Sequence, residues 1–208
     1  MENEKLEILE KISGLFFRYG IKSVSMDDVA RELGISKKTL YKLFKDKRDV
    51  VEQAIEFHED CSLKEMMKNI ELSDSNAMEE YFELLRTVKK WVEEVNPSFE
   101  YDLEKYYIDI YRKHEAKRIE NMTSYFTCNL NRGKAEGVYR EDFDVDIITR
   151  FHVTTINNLH NSGLFSKAEI HNYKIYKEYF LLFMRGVASA KGLKILEEKI
   201  KEYDLINR

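Results

Sequence analysis

An all-α fold is the class this sequence predicts, and three observations carry it. Of 208 residues, only eight are glycine and one is proline, well under the ~12% that the two make up in an average chain. Apolar residues recur at steps of three and four, the period of a helix face rather than of a strand. Hydrophobic residues make up 43% and charged residues 35%, enough for both a core and solvated helix faces. So few breakers make poor material for a many-turned β fold.

Several classes drop out at once. Cys61 and Cys128 cannot build a disulfide framework, so a reducing compartment is expected. The N-terminal MENEKLEILE is charged and lacks the apolar core of a signal peptide. The longest apolar run, Tyr179 to Met184, is far short of the ~20 residues of a membrane span. A cytoplasmic location is the expectation.

The elements follow in order. Leu9, Ile12, Phe16 and Tyr19 mark a first helix, Leu6 and Leu15 widen its stripe, and Gly20 ends it in a left-handed cap. Ser25 with Asp28 gives an S-x-x-D capping pattern for a second helix, whose inner face is Val29, Ala30 and Leu33. Gly34 breaks it, and Ser36 caps a third helix running to about Phe44. At ~100° per residue, Leu40, Leu43 and Phe44 form an inner face. Lys38, Lys42 and Lys45 lie opposite, with Thr39 and Tyr41 flanking them and Lys37 at the first turn. Helix, glycine turn, then a helix with a donor-rich outer face is a helix-turn-helix pattern.

Asp46 caps a fourth helix, from about Lys47 to Asn69. Ser73–Ser75 reads as a loop, and a fifth helix covers about Asn76 to Val95. After Asn96-Pro97, a short helix and a long one reach about Glu136, dividing near Asp109. Gly137 to Asp142 connects to a helix from Val145 to His160, which Asn161-Ser162-Gly163 ends. A ninth helix is predicted over Ile170–Ala190 and a tenth over Leu193–Tyr203. The domain division expected is 1–46 and 47–208.

Charge separates the two ends. The net charge is −4. Residues 1–50 nevertheless carry eleven Lys/Arg against nine Asp/Glu, and Lys37 to Arg48 holds six bases against one acid, Asp46. A local basic stripe is the footprint of a phosphate-binding surface. Taken alone, a lysine-rich stretch is an ordinary solvated face; the helix-turn-helix context gives it meaning.

Residues Ile8 to Ile55, including LFFRYGIKSVSMDDVARELGISKKTLYKLFKDKRDVVEQAI, resemble the TetR family of bacterial transcriptional regulators. The resemblance rests on Gly20, Ser25, Val29-Ala30, Gly34-Ile35-Ser36, Leu40-Tyr41, Phe44 and Lys47, at the family's spacing. Further on, EGVYREDFD (Glu136–Asp144) looks like the link before the last two large helices. The resemblance implies that the third helix enters the DNA major groove, with Lys37, Lys38, Thr39 and Lys42 at base edges. Lysine favours guanine acceptors, and the threonine methyl suits thymine. Tyr41 and Lys47 match phosphate-contacting positions. Ser25 and Ser36 can donate to phosphates beside helix N-termini, and Lys45 adds charge. Lysines at both 38 and 42 depart from the types common in the family and leave base preference open.

The C-terminal part is expected to dimerise and to bind a small molecule. On the ninth helix Tyr173, Tyr176, Phe180, Phe183 and Val187 form one stripe, and Leu181, Leu182 and Met184 add apolar surface elsewhere. A helix apolar nearly all round must be covered on two sides. A two-fold homodimer would set two recognition helices ~34–36 Å apart, for a palindromic double-stranded DNA operator. The family's last two large helices form such an interface. Aromatics crowd the middle of the chain, and Phe82, Leu85, Tyr125 and Phe126 are the candidates for an effector pocket. The regulator is expected to act as a repressor released by its ligand.

An enzyme needs a constellation, and the expectation is that there is none. H-E-x-x-H, G-x-S-x-G, P-loop and C-x-x-C motifs are missing from the sequence. His58 and Cys61 share a helix face but give only two metal ligands, and His152 and His160 lie two turns apart. No cofactor or metal is expected. The alternative is an all-α ligand-binding or scaffold module without sequence-specific DNA binding.

Overall fold

The computed structural model describes residues 2–72, 75–159 and 162–206, and their side chains except those of 2–4, 62–72, 167, 168 and 203–206. The helices are α1 (Glu2–Tyr19), α2 (Met26–Glu32), α3 (Lys37–Leu43), α4 (Lys47–Leu72), α5 (Ala77–Glu94), α6 (Ser98–Tyr106), α7 (Ile108–Ala135), α8 (Val145–Leu159), α9 (Lys167–Ile170), α10 (Tyr173–Val187) and α11 (Ala190–Ile206). The fold is all-α, and the β-type pairing among the described residues is the isolated bridge of Tyr139 with Ala188. None of the described helices is long and apolar enough to cross a membrane. Of the residues expected to end helices or form loops, Ser73, Asp74, His160 and Asn161 lie outside the described ones.

The chain divides into two compact units. The first holds residues 1–71 and 94–118, the second 72–93 and 119–208, so α7 contributes to each. In the first unit Leu9, Ile12, Leu15 and Phe16 of α1 are buried, with Val29, Ala30, Leu40, Phe44, Val50 and Val51. Each fully buried side chain of this size contributes roughly 1.5–3 kcal/mol. Leu6 and Tyr19, read from spacing as part of the α1 stripe, are 43% and 50% exposed: they sit at its ends. Leu43 is likewise 38% exposed, because α3 is two turns long and only Leu40 and the cap residue Phe44 point inward.

Two features fix the surroundings of the helix-turn-helix. The Ser13 hydroxyl lies 2.8 Å from the Leu9 carbonyl and 2.9 Å from that of Ala54, joining α1 to α4. An ionic ladder joins α4 to the first half of α7. Arg48 pairs with Asp109, Lys113 with Glu52 and Glu56, His114 with Glu59, and Lys117 with Asp60.

The second unit is built on aromatic packing. Tyr81 of α5 meets Phe126 of α7 and Phe180 and Phe183 of α10. The buried His152 of α8 lies at the centre, against Phe126 at 4.2 Å and Phe183 at 3.9 Å between ring centroids. One ring nitrogen bonds to the Tyr81 hydroxyl, and the other lies 2.9 Å from that of Tyr179. Burial pushes the imidazole down to about 3, so it is neutral at pH 7. One tyrosine then donates to the bare nitrogen and the other accepts from the N–H.

The expected ninth helix over Ile170–Ala190 is shortened at both ends, to Tyr173–Val187, and Ile170 belongs to the separate α9. Ser166 and Glu169 cap the one-turn α9 reciprocally, and Asn172 caps α10 by accepting from Lys174 N–H at 2.9 Å. At its other end α10 stops at Val187. The 138–140 link pairs there through Arg140 N–H to Val187 O (2.9 Å) and Ser189 N–H to Val138 O (3.0 Å). Gly192 permits that approach: a Cβ would lie 2.0 Å from the Val138 carbonyl oxygen. The expected tenth helix accordingly begins at Ala190, earlier than Leu193.

Candidate nucleic-acid interface

The site is built on the caps of three short turns. Ser25 and Asp28 form a full capping box at α2: Ser25 Oγ accepts from Asp28 N–H at 3.2 Å, and the Asp28 carboxylate accepts from Ser25 N–H at 2.9 Å. The Ser25 hydroxyl also lies 2.6 Å from that carboxylate, holding it below the usual range. The Ser25 hydrogen is thus committed to Asp28, and a phosphate there must compete for it. Gly34, at φ +67°, makes the turn that a side chain would strain. Ser36 caps α3, accepting from Thr39 N–H at 3.0 Å, and the two hydroxyls lie 2.8 Å apart. Asp46 accepts from Asp49 N–H at 2.9 Å at the start of α4, as the sequence predicts.

With Leu40 and Phe44 buried, the rest of α3 turns outward. Ser36, Lys37, Lys38, Thr39, Tyr41 and Lys42 are all exposed, as is Lys45, and Tyr41 shows 45% of its surface. These side chains share one short helix and its flanks, giving ammoniums interleaved with hydroxyls. Lys37 differs from Lys38 and Lys42: its ammonium lies 2.8 Å from Asp27 of α2, which raises its pKa. An exposed pair of this kind is worth ~0–1 kcal/mol, so DNA can displace it at small cost. Lys47 is half-buried, and burial lowers its pKa, so its charge is poorly solvated and suits a phosphate that replaces the lost water.

Sequence reasoning missed the polar seam that holds this surface to α6. Asn96 N–H donates to Phe17 O at 2.7 Å, and the Asn96 amide lies 3.3 Å from Arg18 O, so both serve the open carbonyls at the end of α1. Lys22 N–H donates to the buried Asp102 carboxylate at 2.8 Å. Gly20, at φ +80°, makes the turn, and a Cβ there would lie 2.1 Å from Ser98 Oγ. Asp102 has no helical-period signal linking it to residues eighty positions earlier, so no sequence pattern could have found it.

The other expected residues lie in the second unit. Phe82, Leu85, Tyr125 and Phe126 are all buried there. Tyr125 and Phe126 touch, with ring centroids 5.1 Å apart, and Phe82 packs on Phe180 at 5.1 Å. Burial and the nearby Glu80 carboxylate push the Tyr125 phenol well above its ordinary range. Tyr173, Tyr176, Phe180, Phe183 and Val187 were expected at a partner's surface; two of the five are covered within their own unit. Phe180 and Val187 are buried, Phe183 stacks on Tyr81 and His152, and Tyr173 and Tyr176 are half-buried. Exposed apolar side chains of this unit include Ile147 and Phe151 on α8 and Leu182 on α10, at 46%, 68% and 71%, together with Leu164, Phe165 and Leu193. His58 packs edge-on against Phe17, and Cys61 is exposed.

A glycine-turned pair of capped helices, the second presenting ammoniums and hydroxyls outward, defines a helix-turn-helix DNA-binding regulator. Residues 8–54 match the family model described as bacterial regulatory proteins, tetR family. The chain is 24% identical over 194 residues to "Uncharacterized HTH-type transcriptional regulator YfiR" of Bacillus subtilis (strain 168), covering 91% of this chain and 94% of the relative. A transcriptional regulator from Cytophaga hutchinsonii ATCC 33406 shares the fold with a TM-score of 0.71 and 16% identity, over 89% of this chain and 99% of that one. A TetR-family regulator from Cytophaga hutchinsonii does so with a TM-score of 0.64 and 14% identity, over 91% and 96%. Residues 8–54 thus match the helix-turn-helix region of the tetR family of bacterial regulatory proteins, and the chain is similar over most of its length to an HTH-type transcriptional regulator.

Proposed function

We propose that the protein is a ligand-responsive repressor that binds a palindromic operator as a homodimer and leaves it when a small molecule binds. Residues 1–46 would serve DNA binding, and 47–208 effector binding and dimerisation. The observation that carries the reading is the outward face of α3. Lys38, Thr39 and Lys42 are exposed on a capped helix whose inner residues are fully used in packing. Lys38, Thr39 and Lys42 would read base edges, with Lys37 joining once it leaves Asp27. Tyr41, Lys45, Lys47, Ser25 and Ser36 would hold phosphates.

Dimerisation is supported by the exposed Ile147, Phe151 and Leu182 on α8 and α10. Apolar side chains so open to water gain from a second copy. For the effector, Phe82, Leu85, Tyr125 and Phe126 beside the neutral His152 offer an apolar setting with few polar groups. α4 follows the recognition helix directly and is the lever in this reading. The ligand acts only through different affinities for the two states. The protein would work in the cytoplasm, without a catalytic role.

The test is selection of genomic DNA fragments by the purified protein, followed by fluorescence anisotropy on the recovered fragments. Enrichment of one near-palindromic site is expected. Recovery of no common sequence would overturn operator binding and favour the scaffold alternative.

A further inference from the structure

Three polar groups outside the recognition helix converge on one exposed spot of the first unit. Lys22, in the turn between α1 and α2, reaches Tyr106 at the end of α6: Nζ lies 3.0 Å from the phenol oxygen and 4.9 Å from the ring centre. Lys105 lies 2.7 Å from the Tyr101 hydroxyl, 5.0 Å over the Tyr101 ring and 5.5 Å over that of Tyr106. All four side chains are exposed. Among the described residues neither Lys22 nor Lys105 has a carboxylate within salt-bridge distance, unlike Lys37, Lys113 and Lys117 of the same unit. The nearby carboxylate, Asp102, is buried and accepts the Lys22 backbone N–H.

Two like charges are therefore held together by fold contacts across more than eighty residues of chain, with a phenol oxygen accepting from the ammonium of Lys22. That leaves the Tyr106 O–H to donate outward. Lys22 acidifies this phenol, which strengthens it as a donor. The arrangement has the chemistry of an oxyanion site: two cations and a hydroxyl donor, with the nearby Asp102 carboxylate buried and bonded to the Lys22 backbone N–H.

We propose that Lys22, Lys105 and Tyr106 contact the DNA backbone, extending the phosphate-binding surface beyond the helix-turn-helix. The inference rests on the DNA-binding reading above. Continuity favours DNA over a free anion. Lys22 stands three residues from Ser25, at most ~10 Å of extended chain, while phosphates on one strand advance ~3.4 Å along the axis. The patch and Lys47 also share the field of Asp102, so the two lie on adjoining ground. An exposed pair of lysines binds a lone anion weakly, whereas a phosphate polymer adds counterion release for each contact.

The experiment uses the full chain and a fluorescein-labelled 40-base-pair duplex of random sequence, because backbone contacts do not need the operator. Anisotropy is followed through a salt series. Lys22→Ala/Lys105→Ala should lower the slope of log affinity against log salt by about two, at ~0.9 per phosphate. The affinity gap to the unaltered protein then shrinks by about tenfold over a fourfold rise in salt. Lys22→Arg/Lys105→Arg should keep the slope, and Tyr106→Phe should weaken binding with the slope unchanged. Thermal melts check that each variant is folded. If Lys42→Ala lowers the slope and the Lys22/Lys105 double variant does not, this proposal is overturned while DNA binding by α3 stands. If the unaltered protein binds no duplex, both fall.

Discussion

Lys38 and Lys47 illustrate how two lysines nine positions apart take different parts. Lys38 is exposed on the recognition helix, whereas Lys47 is half-buried at the head of α4. Lys38→Ala should cost roughly 1–3 kcal/mol on a selected operator and relax the preference at one base pair. Lys47→Ala should weaken binding to all sequences alike and lower the salt slope by about one. Anisotropy on matched and mutated duplexes separates the two, and identical behaviour of the variants would remove the division between reading and holding. His152 makes a different prediction. Its native pKa of about 3 lies below the ~6.5 of the unfolded chain. As pH falls through 6.5 the unfolded chain gains a proton that the native protein refuses. Stability is therefore complete above that pH and drains toward pH 3, by up to roughly 1.4 kcal/mol per pH unit. Between pH 7 and 4.5 the melting temperature should fall more steeply in the unaltered protein than in His152→Gln. Parallel curves would show that His152 does not drive the loss.

At the scale of elements, the caps were readable from sequence and the seams were not. Ser25 with Asp28, Ser36 and Asp46 announce the starts of α2, α3 and α4 because a cap bonds within three residues of itself. Asp102 and Asn96 serve the α1–α2 region from about eighty residues away, so only the fold brings them there. Asp102→Asn should keep the helical content and lower stability by about 1–3 kcal/mol, since a buried charged acceptor is replaced by a neutral one. Denaturant melts check it, and a variant as stable as the parent would show that Lys22 N–H finds another acceptor. The shortening of the expected ninth helix teaches the same lesson. Its apolar spacing is continuous, yet Ser166 and Asn172 start two helices and the 138–140 link stops the second at Val187. The Ser166-Glu169 capping pair was a local signal that could have been read.

For the whole molecule, the proposed homodimer needs a surface for the second copy. Spacing picked the apolar stripe of α10 that contains Phe180 and Val187, and these are buried in their own unit. Period alone cannot distinguish an inner stripe from an intermolecular one, because both are apolar at steps of three and four. Exposure favours Phe151 and Leu182. Phe151→Glu/Leu182→Glu should leave the fold intact and convert a dimer to monomers in sedimentation velocity, with operator affinity falling accordingly. A dimer that persists would place the contact elsewhere.

The sequence by itself determined what local physics controls. Few breakers and a three-four period made the chain helical, capping residues set the starts of the first helices, and the spacing from Gly20 to Lys47 marked the surface proposed to bind DNA. Each of these signals acts within a turn or two of chain. Tertiary structure decided what depends on distant partners: the pairing of Lys37 with Asp27, the inward face of α10, the neutral His152 among aromatics, and the seam that carries Lys22 to Tyr106. Burial and charge pairing are properties of where side chains meet, and that meeting is fixed only when the whole chain has packed.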